Sequence, residues 1–140
     1  MNQLGTHLVA SIMSKEVVSV SPNHHLNDII DLMTKNSFRH VIVTQNGELA
    51  GIISKNDIDR FKVSGKADHQ DLQKKLVESL TVEQLMTKNV RTVDHDDSIK
   101  EAAELLSLSS YHALPVLKDG KLVGIITSTD IILYLLSHCD

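Results

Sequence analysis

Gly124-Ile125-Ile126-Thr127-Ser128-Thr129-Asp130-Ile131 repeats what Gly51-Ile52-Ile53-Ser54-Lys55-Asn56-Asp57-Ile58 has already written earlier in the chain. Outward from these two octets, residues 9–60 align without a gap onto 82–133 at a constant offset, and roughly fifteen of about fifty aligned positions are identical. A tandem repeat of this length means two copies of one supersecondary unit, stacked most simply about a pseudo-twofold axis. Any pocket between the copies would then come as a related pair.

Each copy parses into the same elements. A short apolar segment (8–13 or 82–86) leads into a brief extended stretch (17–20 or 90–93). An amphipathic helix follows, with Leu26, Ile29, Ile30 and Met33 in copy one and Ile99, Ala102, Ala103 and Leu106 in copy two at i, i+3, i+4, i+7. Ser98 with Glu101 makes a capping box at the start of the second of these helices. Two short apolar runs then flank Asn46-Gly47 in copy one and Asp119-Gly120 in copy two. Both dipeptides tolerate the positive φ angles of a type I′ hairpin. A last helix starts near Lys55 or Ser128. The fold class is therefore α/β (α+β), two tandem β-α-β-β-α repeats with right-handed crossovers. The expected organisation is a first repeat over 9–62, a tether with one helix around Leu72, Leu76 and Val77 over 63–81, and a second repeat over 82–138.

At 140 residues the chain suits one compact domain, and two free-standing copies would each be marginal, so the copies are expected to share a core. A net charge of −4 with no Lys/Arg run gives nothing with which to displace counterions from nucleic acid. Cys139 is the sole cysteine, which excludes a disulfide framework or a thiolate metal cluster. His24-His25 is conspicuous, yet no Cys, His or carboxylate recurs at ligand spacing, so no metal site is expected. Neither a leader peptide nor a membrane span is visible, which reads as a soluble, cytoplasmic chain. No phosphate loop or dinucleotide fingerprint appears, and no nucleophile–base pair, so catalysis is not expected. The last helix is apolar on nearly every side (Ile131, Ile132, Leu133, Leu135, Leu136), which demands burial all round and points to a second chain covering it.

The sharpest chemistry lies where strand meets helix. Ser54 and Thr127 end a strand, and Asp57 and Asp130 fall in the first turn of the helix that follows. Unpaired N–H groups and the positive end of the helix dipole suit a phosphate there. A carboxylate one turn later can accept both hydroxyls of a ribose. The same residues equally describe a capping box, and duplication does not separate the two readings, because a cap would be duplicated too.

The repeat, the hairpin dipeptides and the endings GIISKNDI and GIITSTDI resemble a tandem pair of CBS domains (named after cystathionine β-synthase), of the stand-alone bacterial type. The resemblance covers nearly the whole chain apart from its tails and tether. It implies a pseudo-symmetric module with two clefts between its repeats for adenosine-containing ligands of the AMP, ADP, ATP or S-adenosylmethionine type. By position, ribose binding falls on Asp57 and Asp130. Phosphate binding falls on Ser54 and Thr127, with Arg39, His40 and His112 just before or at the second strands. The adenine slot falls beside Val18, Val20 and Val93. Copy one has Ile42 where the family's strand proline occurs (copy two keeps Pro115), and Arg91 replaces the apolar residue matching Val18, so two equal sites are not expected. The implied protein is a non-enzymatic sensor requiring no cofactor, a homodimer through its C-terminal helix, signalling in trans to an effector protein. The alternative is an interaction scaffold whose clefts are vestigial.

Overall fold

The computed structural model describes residues 5–36, 38–63 (backbone only for 60–63), 75, 78–108 and 112–139. The expected tether helix around Leu72, Leu76 and Val77 lies outside them. The described elements run: a 3-10 turn (Val9–Ser11), β1 (Ser19–Val20), α1 (Leu26–Asn36), β2 (His40–Gln45), β3 (Glu48–Ser54), α2 (Lys55–Val63), α3 (Val82–Leu85), β4 (Val93–Asp94), α4 (Ile99–Leu108), β5 (Ala113–Lys118), β6 (Lys121–Thr127) and α5 (Ser128–Ser137). The β-α-β-β-α order read from the sequence is present twice. Each copy has one three-stranded sheet, ordered β1-β2-β3 or β4-β5-β6, with a parallel pair made by the helical crossover and an antiparallel hairpin.

Both hairpins turn on the expected dipeptides. Asn46 and Gly47 have φ of 55° and 81°, and Asp119 and Gly120 have 52° and 80°. Two positive φ angles in succession match the right-handed twist of the strands. Each hairpin also carries a register shift at the same place, after Val43 and after Val116. The copies differ at one ladder bond. Ile42 N–H donates to the Val18 carbonyl (3.2 Å), whereas Pro115 at the equivalent place has no N–H to give.

The chain divides into two compact units that cut across the sequence repeats. One is Val18–Val90; the other joins Met1–Val17 to Arg91–Asp140. The leading segment of each copy therefore belongs to the unit built on the other copy. Within the copy-two unit, Val9 N–H donates to Asp97 O, Ile99 N–H to His7 O, and Ser14 and Ile125 exchange a pair of bonds (2.9 and 3.0 Å). Within the copy-one unit, Val82 N–H donates to His24 O, Leu26 N–H to Leu80 O, and Thr87 and Ile52 exchange the matching pair (2.8 and 3.1 Å). Each of these bonds has its counterpart at the constant offset of the alignment.

Most of the buried apolar residues described fall into two clusters, one within each unit. Leu26, Ile29, Met33, Val41, Val43, Ile53 and Ile58 surround Val82 in one; Ile99, Ala102, Leu106, Leu114, Val116, Ile126 and Ile131 surround Val9 in the other, with Val93 and Tyr134. A copy on its own would miss the residue that its neighbour donates. The copies are thus joined by exchange of chain.

The C-terminal helix departs from the expectation of burial all round. Ile131 and Tyr134 are buried, while Ile132, Leu133, Leu135 and Leu136 are 44–63% exposed in the single chain. One stripe of α5 is enough to close the unit's core. The remaining apolar surface faces outward.

Candidate functional site

Ser54 is the last residue of β3 and Thr127 the last of β6, so each hydroxyl sits where its chain passes from extended to helical. Thr127 has φ −120° and ψ 164°, the extended geometry of an N-cap. Its Oγ1 accepts from Asp130 N–H (3.1 Å), and Asp130 Oδ2 accepts from Thr127 N–H (2.9 Å). Copy one has the same reciprocal pair: Ser54 Oγ accepts from Asp57 N–H (3.1 Å), and Asp57 Oδ2 accepts from Ser54 N–H (3.0 Å). The capping reading of this motif is thus realised in both copies. It positions the groups without exhausting their chemistry: a hydroxyl keeps a donor, and an ionised carboxylate has about four acceptor sites. All four side chains are half-buried.

The strand register brings other candidates alongside. His40 stands directly across from Ser54, and Ala113 across from Thr127. The residue before each strand is tied to the helix start: the Arg39 carbonyl accepts from Lys55 N–H (2.7 Å), and the His112 carbonyl from Ser128 N–H (2.9 Å). His40 is half-buried, whereas Arg39 and His112 are exposed. Arg39 also lines a cavity shared with α1 and α2. Of the three adenine-slot candidates, Val93 is buried in its unit's core, while Val18 and Val20 are half-buried against the other. Arg91 is exposed.

One cluster went unseen in the sequence. Asp94, His95 and Asp96 bring ligand-type atoms within 4.8 Å of one another. Consecutive residues in an extended strand would point apart, but the chain turns at once after β4. His95 Nε2 lies 3.1 Å from Asp96 Oδ1, and Nδ1 lies 2.9 Å from Asp94 Oδ1. The Nδ1 contact is close but poorly aligned, leaving that buried atom without a hydrogen-bond partner. The same turn is tied down by Asp94 N–H to Asp97 Oδ2 (2.9 Å) and His95 N–H to Leu117 O (2.9 Å). Among the described residues no helix is long and apolar enough to cross a membrane.

The model of one family, the CBS domain, matches this chain twice, at residues 9–64 and 82–137. A curated relative, an uncharacterized protein of Methanocaldococcus jannaschii, is 28% identical over 91% of this chain and 46% of its own length. The L-aspartate semialdehyde sulfurtransferase of the same organism is 30% identical over 89% of this chain, but only 22% of that enzyme is covered. The chain thus spans less than half the length of either relative. Among solved structures, a CBS-domain protein of Burkholderia ambifaria is 27% identical with a TM-score of 0.80, covering 95% of this chain and 96% of that one. The CBS domain pair of protein MJ0100, in complex with 5′-methylthioadenosine and S-adenosyl-L-methionine, is 28% identical with a TM-score of 0.77, covering 94% and 98%. CBSX2 in complex with AMP is 25% identical, again with a TM-score of 0.77 and coverage of 94% and 98%. Two matches to the family model that together span most of the chain, on a fold written twice, show that the chain belongs to the CBS domain family, as a tandem pair.

Proposed function

We propose that this chain is a non-enzymatic regulatory module that binds an adenosine-containing ligand and signals in trans to an effector protein. The observation that carries the reading is the duplicated pair Ser54–Asp57 and Thr127–Asp130, each placing a hydroxyl and a carboxylate at a helix start. In this reading Asp57 and Asp130 hold ribose hydroxyls through carboxylate acceptor sites beyond those the cap uses. Ser54, Thr127 and the adjacent His40 and His112 face phosphate, with Arg39 as a further cation, and Val18, Val20 and Val93 flank the base. The complexes of MJ0100 and CBSX2 with adenosyl ligands support that ligand class. A ligand acts by favouring the conformation it binds more tightly, and the effector reads that bias. The bare face of α5 supports a homodimer, and it also favours a second reading, an assembly scaffold in which ligand binding has lapsed.

A thermal-shift panel of AMP, ATP and S-adenosylmethionine, with guanosine counterparts as controls, tests this. A ligand at a hundred times its Kd adds about 2.7 kcal/mol, on the order of 10 °C for a chain of this size. We expect one adenine ligand to give a saturating shift that Asp57→Asn or Asp130→Asn removes, since the amide oxygen keeps the cap but loses the charge. A flat panel from folded protein would leave the scaffold.

A further inference from the structure

A cavity in the copy-one unit is lined by none of Ser54, Asp57, Thr127 and Asp130, though it shares Arg39 with the phosphate site proposed above. Side chains of α1, the pair Phe38-Arg39 ahead of β2 and the start of α2 line a half-open cavity of about 350 Å³, at the small end of ligand pockets. Its apolar lining is Ile30, Met33, Phe38 and Ile58. Met33 and Ile58 are 6% and 3% exposed, so this surface is continuous with the unit's core. Arg39 and Lys55 add two cations to the lining, beside Thr34. The 2.7 Å bond from Lys55 N–H to the Arg39 carbonyl holds their backbones together. Lys55 is moreover the first residue of α2, where the helix dipole adds to the positive potential. Asp59 also lines the cavity, but neither it nor any other described acid comes within ion-pair distance of either cation.

The repeat supplies an internal control. At the aligned positions of copy two, Met33 and Ile58 become Leu106 and Ile131, both still buried, while Arg39 becomes His112, Lys55 becomes Ser128 and Asp59 becomes Ile132. Copy two keeps only the buried half of the floor, since Ile30 becomes Ala103 and Phe38 becomes Tyr111, and it has neither cation of the rim. Fold maintenance accounts for the buried Met33 and Ile58. It does not account for two adjacent cations that have no ion-pair partner among the described residues, in a chain of net charge −4.

We propose that this cavity binds a small amphipathic anion, an apolar chain or ring bearing a carboxylate or phosphate head. The apolar body would replace water over Ile30, Met33, Phe38 and Ile58, and the head would pair with Arg39 and Lys55. A neutral apolar molecule would leave the cations unused. A nucleotide would lay polar surface against the floor.

The test is calorimetric titration of the full chain with decanoate and decyl phosphate, with decyltrimethylammonium as the charge control, and amide NMR to locate the contact. Decanoate and decyl phosphate separate a carboxylate source from a phosphate source. We expect at least one anion to bind, with shifted amides in α1, Phe38 to Arg39 and the start of α2. Lys55→Glu should weaken it about tenfold, the scale of a lost charge-assisted hydrogen bond. Thr34→Trp, which places a ring at an exposed lining position, should abolish binding while leaving any adenine-ligand shift intact. Leu136→Ser, on the bare face of α5, should bind as the parent does. Equal binding of the cationic probe, failure of both anions to bind, shifts confined to α5, or unchanged affinity in Lys55→Glu and Thr34→Trp would each overturn the proposal.

Discussion

A methyl group placed on Gly51 would stand 2.7 Å from the sulfur of Met86, and the same construction on Gly124 meets the sulfur of Met13 at 2.6 Å. A flexible thioether can swing aside, but a carbonyl oxygen cannot: Thr87 O lies 2.8 Å from the first methyl and Ser14 O 2.8 Å from the second. The glycine opening each GII motif is therefore the seat for the leading segment that the other copy donates. Gly51→Ala and Gly124→Ala should each destabilise the fold by about 1–3 kcal/mol, the usual cost of overpacking, read by urea unfolding. Adding Met13→Ala to Gly124→Ala should rescue little, because the carbonyl remains. Full rescue would show that the sulfur, not the exchanged backbone, sets the requirement.

Much of this architecture was legible in the residues because it is local. Asn46-Gly47 and Asp119-Gly120 name their turn by chemistry, and the helix periodicity of Leu26 to Met33 and Ile99 to Leu106 names its buried face. The exchange of leading segments was not legible, for a reason the repeat itself supplies. Val9 and Val82 are the same residue type at equivalent positions, so either would fill either core, and no pattern in one copy says which it enters. The Asp94–His95–Asp96 cluster was hidden because a period-two strand pattern sends neighbours to opposite faces, and only the turn after β4 defeats it. Apolarity on all sides of α5 was readable, but a bare sequence does not tell how few of those side chains the chain's own core needs.

The Thr127–Asp130 cap predicts a stability effect separable from ligand binding. Thr127→Ala leaves Asp130 N–H without the acceptor it now has at 3.1 Å, and N-cap truncation costs about 0.5–2 kcal/mol. Thr127→Ser should cost less, since the hydroxyl survives. Ser54→Ala should behave alike in copy one. Thermal unfolding of the four proteins without ligand checks the order. If Thr127→Ser were as damaging as Thr127→Ala, the methyl group rather than the cap would be responsible.

Tyr134 joins the C-terminal helix to the leading segment. Its hydroxyl and His7 Nδ1 lie 2.6 Å apart, and His138 stacks on the same ring with centroids 4.3 Å apart. Tyr134 is 8% exposed, so Phe can replace its ring and delete only the hydrogen bond. Tyr134→Phe should lose about 1 kcal/mol. The loss should also be local: the Ile99 amide, bonded to the His7 carbonyl, and the Val9 amide, bonded to Asp97, should exchange faster with solvent than core amides of β5. Uniformly faster exchange would mean that the bond supports the whole unit instead of latching the segment.

The outward face of α5 makes the clearest prediction about assembly. Leu133 and Leu136 are 59% and 63% exposed, so charging them removes nothing from the chain's own core. If a second copy covers this face, the parent should run as a dimer in size-exclusion chromatography with light scattering, and its Tm should rise with concentration. Leu133→Glu with Leu136→Glu would place like charges across the contact and should yield a monomer. That monomer should keep the parent's far-ultraviolet circular dichroism, because Ile131 and Tyr134 still close the unit. A parent that stays monomeric at every concentration would remove the homodimer from the proposed function. A variant that unfolds would instead show that these leucines serve the fold, contrary to their exposure here.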